Sequence, residues 1–276
     1  MILCCGEALI DMIPARSQNG PDGFVPHPGG AIFNTAISLG RLGKRVGMLT
    51  GLSTDMFGRQ VKNALEASHV DTSLVVSSTH PSTLAFVQLS DGHASYSFFD
   101  ENSAGRMIRI DQLPALPSEV ALLFFGGISL ATEPGADTYA ALCERERDRR
   151  CIMIDPNIRQ SLVTDEITFR KRLERMLSQA DIVKVSDEDL NWIVDGPSSL
   201  LDKVNILLAK GPAVVIITKG SEGAVAYDRM GGEINVPAVA IEVVDTVGAG
   251  DTFNGGFLAK LAELGMLTKQ RIRELP

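Results

Sequence analysis

The sequence predicts an α/β fold built on a mainly parallel sheet with helices around it and a small antiparallel flap. Three observations carry this. Short apolar runs alternate with longer helical patterns along most of the chain. Several runs are apolar on successive residues, as parallel strands covered on both faces must be. Two stretches break the rhythm with turn and hairpin features.

In chain order the apolar runs fall at residues 2–5, 46–49, 120–125, 151–154, 182–185 and 214–218. Helical patterns lie at 32–42, 59–67, 136–149, 166–178, 200–210 and 252–264. The first exception, near 12–28, is rich in Gly, Pro and Asn. The second, near 84–100, has two strand patterns meeting at Asp91-Gly92. Asp-Gly between strands is a strong hairpin signal. Neither stretch can extend a parallel sheet through a crossover helix. They are expected to form a lid able to cover a site and exclude water. The run CERERDRR at 143–150 reads as a solvated helix face with i,i+3 and i,i+4 charge pairs, and Trp192 as a packing residue.

Composition narrows the function. A chain of 276 residues, 45% hydrophobic and 22% charged, can bury a substantial core. With 34 acidic and 26 basic residues the net charge is -8, which disfavours nucleic acid and anionic membrane as partners. Cys4, Cys5, Cys143 and Cys151 form no C-x-x-C pair and read as reduced thiols of a cytoplasmic protein. His27, His69, His80 and His93 are too scattered for a structural zinc site. The start, MILCCGEALIDM, lacks the basic residues of a secretory signal, and no apolar run is long enough to span a bilayer.

Two segments carry chemistry. In VVDTVGAGDTFNGG (243–256) a β-branched strand runs into a glycine-rich turn and then a helix. Backbone N–H groups and the dipole at such a helix start favour an anion, including charge developing on a transferring phosphoryl group. Gly248, Ala249 and Gly250 would supply that turn. Asp251 stands beside it, where a carboxylate can accept the proton of an attacking hydroxyl. A structural turn with Asp as N-cap is the plainer alternative. The dinucleotide fingerprint G-x-G-x-x-G fails because residue 253 is Phe, and no G-x-x-x-x-G-K-[ST] loop is present. In the second segment, PGGAIFNTA (28–36), paired glycines open a helix and Asn34 lies in its first turns, suited to donating to and accepting from a hydroxyl.

Together and in this order, G-G-A-x-x-N-x-A at 29–36 and D-T-x-G-A-G-D at 245–251 resemble the two signatures of the PfkB (ribokinase-like) carbohydrate kinases. The resemblance runs from residue 2 to about 264. The stretches GEALIDMIP, GLSTDMFG and DPNIR (155–159) look most like those of the family's bacterial fructokinases. It implies a single Rossmann-like domain over 1–276 with a β lid over a sugar, and ATP-dependent transfer to a hydroxyl of a small neutral sugar, fructose foremost. Asp251 would be the base and the amides of 248–250 the anion hole. Asp11, Gly29, Gly30, Asn34, Phe98 and Arg159 would face the sugar, Arg159 having a surface ion pair with Asp155 as its alternative. Lys184, Thr218, Lys219, Gly220 and Gly223 would serve the nucleotide.

Cofactors implied are ATP and Mg2+, with a monovalent cation as a further option; a homodimer is left open. The sequence departs from the family pattern in two places. Where many members carry N-x-x-E, this chain has Ser186-Asp187-Glu188-Asp189, so Asp189 takes the magnesium role, through water. The chain also stops at Pro276, where members usually add at least one more helix. That implies a truncated chain or a nucleotide site open on one side. Alternatives are a ketodeoxygluconate or ribokinase-type kinase, and a non-catalytic relative keeping the pocket. Asp100, after Phe98-Phe99, is expected in the lid facing the sugar, where it would repel a carboxylate.

Overall fold

Strands apolar on successive residues need cover on both faces, and two layers of helices supply it. The computed structural model describes residues 1–16, 20–90, 93–241 and 247–275; for 89, 90, 93 and 94 the backbone alone is described. The chain begins with β1 (Ile2–Cys5), β2 (Leu9–Ala15), β3 (Gly23–Gly29), α1 (Ala31–Arg41), β4 (Val46–Leu49), β5 (Gly51–Ser53) and α2 (Met56–Ala67). There follow β6 (Val76–Ser78), β7 (Leu84–Ser90), β8 (His93–Phe99), β9 (Leu122–Gly126), α3 (Gly135–Glu146), β10 (Cys151–Asp155) and α4 (Glu166–Gln179). The last part holds β11 (Ile182–Ser186), α5 (Asp187–Ile193), α6 (Leu200–Lys210), β12 (Val214–Thr218), β13 (Ala224–Asp228), β14 (Glu233–Val236), α7 (Ala249–Glu263) and α8 (Lys269–Arg273).

The main sheet has the order β14-β13-β12-β11-β10-β9-β1-β4 and is parallel from β4 to β12. Alternate residues of one strand serve different layers. Leu3 and Cys5 pack with residues of α3, α4 and α6, whereas Ile2 and Cys4 pack with α1, α2 and α7. Each buried leucine or isoleucine contributes roughly 1.5–3 kcal/mol by leaving water. All four cysteines are buried and unpaired within these layers. No helix among the described residues is long and apolar enough to cross a membrane.

The second sheet, β3-β2-β7-β8, forms from the two stretches that broke the rhythm. β2–β3 and β7–β8 pair antiparallel, and a parallel seam joins β2 to β7 through Ile10–Met12. The Asp91-Gly92 turn, residues 17–19 of the first stretch and residues 243–246 of the glycine-rich segment lie outside the described residues.

Several elements depart from the sequence expectation. β13 and β14 extend the main sheet antiparallel at its edge. β14 is exposed at all four positions, so no apolar run announces it. α5 is a short helix capped by the Ser186 hydroxyl, which accepts from Asp189 N. Beyond α7 the chain adds α8, whose Ile272 is buried and whose Lys269 and Arg273 clamp the buried Asp181 carboxylate at 2.7 Å. The charge run of α3 is not simply solvated. Glu146 is 6% exposed and accepts from both Arg145 and Arg150, and Arg150 donates to the Leu116 carbonyl in the loop before β9. Its partners therefore anchor the loop before β9. Trp192 packs edge-on against Phe169 and under the Arg170 guanidinium.

Candidate active site

A cavity of about 710 Å3 opens at the carboxyl ends of the parallel strands, between them and the lid. Ligands of open α/β sheets bind at this edge, where the strand order reverses, with β4 on one side of β1 and β9 on the other. Its floor is made by the starts of α1 and α7. Gly30 begins α1 with φ +107, a conformation that L side chains rarely adopt, and a Cβ there would lie 3.2 Å from the Glu7 carbonyl. Gly248 begins α7 in the left-handed region with φ 77, and its side chain position gives no cap. The first amides of α7 therefore face the cavity end without a capping side chain from that residue.

Why these two helix starts meet is a packing matter. A Cβ on Gly255 of α7 would sit 2.3 Å from the Ser38 hydroxyl of α1, so the glycine permits a close crossing. The crossing brings Asn34 to Asp251, with Nδ2 donating to Oδ2 at 2.9 Å. The Thr35 hydroxyl donates to the Asp251 carbonyl at 3.3 Å. Asp251 is 7% exposed. Burial lifts its pKa to about 6, with Asp155 adding to the rise and Asn34 and Lys184 opposing it.

The sequence-predicted residues divide three ways. Asp11, Gly30, Asn34, Phe98, Arg159, Gly248, Gly250 and Asp251 all line the cavity. Asp11 leans over Gly29, where a Cβ would fall 2.0 Å from its Oδ2. Burial raises the Asp11 carboxyl to about 6, and His27, its cross-strand partner, pulls the other way. Phe98 stacks on Tyr96 at 5.9 Å and forms the lid's inner face with it. Arg159 is exposed and donates to the Asn157 and Ile158 carbonyls; its expected alternative partner, Asp155, is held by Lys184 instead.

A second group sits behind or beside the cavity. Ala249 is in the first turn of α7. Lys184 is 3% exposed, with Nζ 2.9 Å from Asp155 Oδ2 and 3.4 Å from the place a Gly250 Cβ would take. Asp189 accepts weakly from Ile158 N at 3.3 Å, and burial together with Asp155 lifts it to about 6. The third group, Thr218, Lys219, Gly220 and Gly223, makes the β12–β13 turn and does not line the cavity. Gly223 has φ +101, and a Cβ there would meet the Val236 carbonyl at 2.1 Å. The positive φ and the close pass of the edge strand both call for glycine there.

Two corrections follow. Asp100 does not face the cavity. Strand alternation turns Phe98 inward and Phe99 outward, and the chain then buries Asp100 beneath the lid at 5% exposure. Its carboxylate accepts from the hydroxyls of Thr83, Ser103 and Thr132 at 2.7–3.1 Å. It is a tie between lid and body and cannot repel a ligand in the cavity directly. Asp100→Ala is expected to cost about 1–3 kcal/mol of stability by orphaning those hydroxyls, measured by urea unfolding, with ligand preference of the folded protein unchanged.

The second correction is Glu7, which the sequence reading passed over. It lines the cavity and its carboxylate accepts from Ala31 N at 3.1 Å and Ser129 N at 3.4 Å. A Cβ on Gly127 would strike this carboxylate, so the glycine at φ +68 makes room for it. Burial lifts Glu7 to about 7, with Asp251 contributing. A glycine-rich stretch after β9 was the available signal. Asn157, also in the lining, has φ 45, a left-handed residue that the DPNIR stretch concealed.

The profile of the pfkB family carbohydrate kinases matches residues 1–273. A fructokinase of Rhizobium leguminosarum bv. trifolii is 48% identical over 278 residues, spanning 100% of this chain and 84% of its own length. Among solved structures, the fructokinase of Xylella fastidiosa with bound ATP superposes with a TM-score of 0.86 at 30% identity, over 95% of this chain and 81% of that one. A Vibrio cholerae fructokinase bound to fructose, ADP and calcium gives 0.85 at 25% identity, over 99% and 90%.

Proposed function

The chain belongs to the pfkB family of carbohydrate kinases, and on that premise we propose that it is an ATP-dependent fructokinase whose base is Asp251. The observation that carries the reading is the Asn34–Asp251 pair at the cavity floor, beside the uncapped start of α7. Asn34 engages Oδ2, which leaves Oδ1 for a sugar hydroxyl. Asp251 would take that hydroxyl's proton as its oxygen attacks the terminal phosphorus of ATP and the bond to the ADP oxygen breaks. The amides of Gly248, Ala249 and Gly250 would face the charge spreading over the transferring group. Asp11 would accept from other hydroxyls of the sugar, and Phe98 with Tyr96 would cover its apolar face and keep water out.

Fructose is favoured by the relatives and by the floor of the cavity, where Glu7, Asp11 and Asp251 are carboxylates suited to hydroxyls and repellent to an acid sugar. Magnesium fits the donor set. No group of three or more His, Cys, Asp or Glu able to cage a metal occurs among the described residues. Magnesium commonly keeps its waters and binds through phosphates and one or two carboxylates. Asp189, raised by burial and a like charge, gains from a cation nearby and would hold it through water. The ion, when bound, would neutralise charge on the phosphate oxygens. A monovalent cation would show as potassium-dependent turnover, and a homodimer in sedimentation velocity. Four buried thiols suit a reducing cytoplasm.

Turnover of ATP by the purified protein across fructose, ribose, ketodeoxygluconate and nucleosides tests the reading. Fructose is expected to give the highest kcat/KM; no turnover with any acceptor would leave a binding relative. The pH profile is a second check. Asp251 must be ionised to act, and its pKa is lifted from 3.8 to about 6. The acid limb of kcat/KM is therefore expected near pH 6, with activity rising as pH rises through it. A limb at the ordinary carboxylate value near 4 would remove Asp251 from that role.

A further inference from the structure

We propose that Asp155 is a positioning residue for phosphoryl transfer, fixing the Lys184 ammonium beneath the first turn of α7. The inference rests on the kinase reading above and concerns how the anion site is charged. Asp155 closes β10 and is 2% exposed. Its Oδ2 accepts from Lys184 Nζ of β11 at 2.9 Å and from Asn254 Nδ2 of α7 at 2.7 Å. One carboxylate oxygen thus ties two strands to the helix whose start faces the cavity. Neither Asp155 nor Asn254 lines the cavity, so neither is placed to touch substrate.

The chemistry of lysine makes such a partner necessary. An ammonium is a strongly hydrated point charge on a flexible stem. Buried without a counter-ion it gives up its proton or swings out to water. Paired with Asp155 at 2.9 Å, its Nζ is fixed 3.4 Å from the Cβ position of Gly250. Nucleotide phosphates arriving at the turn would then meet a cation that needs no reorganisation. Asp155 Oδ1 and Asn254 Oδ1 accept no hydrogen bond from a described residue, so the aspartate's second oxygen is not engaged by another donor there.

The pair also governs the base. The charged groups facing Asp251 are Glu7 beyond β1, Asp155, Arg159 in the loop after β10, and Lys184. Asp155 favours protonated Asp251, and Lys184 and Arg159 favour the ionised form. Removing the Asp155 charge also frees the Lys184 ammonium, but Asp155 has the larger influence of the two on Asp251, so the balance still tips toward the ionised base.

The test is a double-mutant cycle of Asp155→Asn and Lys184→Met, with kcat, KM for ATP and fructose, and the pH profile of kcat/KM. Wild-type turnover with fructose and ATP is the control, and its absence sinks the kinase reading itself. With that control active, Asp155→Asn is expected to lower kcat about 10²-fold while fructose KM changes little. The acid limb should move to lower pH. In the Lys184→Met background the same substitution should lower kcat almost no further, because for that loss the two residues act as one unit. Multiplicative losses, or an unchanged limb with unchanged kcat, overturn the proposal. If Asp155→Asn does not fold, Asn254→Ala, which keeps the ion pair but removes its tie to α7, should still lower kcat about tenfold. Unchanged kcat in that folded variant overturns the proposal equally.

Discussion

Asparagine at position 251 is expected to lower kcat about 10²–10⁴-fold, the usual loss on removing a general base. The substitution keeps the shape of the side chain and an oxygen that can accept from Asn34 Nδ2, so the contact between the starts of α1 and α7 survives. It removes the basicity. Stability should not fall. The folded-state pKa of Asp251 is raised, so the ionised carboxylate is less favourable in the folded protein than in the unfolded chain. That cost grows as pH rises from about 4 to 6 and is fully present at pH 8. The neutral variant escapes it and should be as stable as wild type at pH 8 or more so. Fructose binding by calorimetry is expected to persist, since Asp11, Asn34 and the lid are untouched. A variant that phosphorylates fructose at the wild-type rate would assign the base elsewhere, with Glu7 the next carboxylate in the cavity.

What the sequence revealed follows from how local each signal was. The parallel strands were legible because burial on both faces forces unbroken apolar runs; residues 2–5 and 214–218 match β1 and β12 to the residue. The edge strands β13 and β14 were not, because an alternating strand and an exposed one lack that mark. Asn34 and Asp251 could be named separately, each beside glycines at a helix start. Their direct bond, 217 positions apart in sequence, depends on the Gly255–Ser38 crossing, which no local pattern displays. Asp100 was misread for a related reason. Strand alternation tells which side a residue leaves from, but three hydroxyls from separate segments decide where its carboxylate ends. Glu7 escaped notice because its partners, Ala31 N and Ser129 N, are backbone groups, and backbone donors carry no residue code.

Valine at position 250 is expected to reduce kcat/KM about 10²–10³-fold, the scale of losing one preorganised donor to developing charge. The argument separates chemistry from folding. Gly250 does not have a positive φ, and only Lys184 Nζ, at 3.4 Å, stands near its Cβ position. Alanine there is conformationally free and should raise helix stability by about 0.5–1 kcal/mol relative to glycine. Valine adds two methyl groups in the space between the α7 backbone and the ammonium, where the proposed anion site would take phosphate. Thus Gly250→Ala and Gly250→Val should both fold, as thermal unfolding would show. Turnover should fall modestly for alanine and steeply for valine, with the loss appearing in kcat as well as in KM for ATP. A purely structural turn predicts the opposite order of sensitivities: stability changed and kinetics intact. If folded Gly250→Val keeps wild-type kcat and KM for ATP, the amides of residues 248–250 do not hold the transferring group.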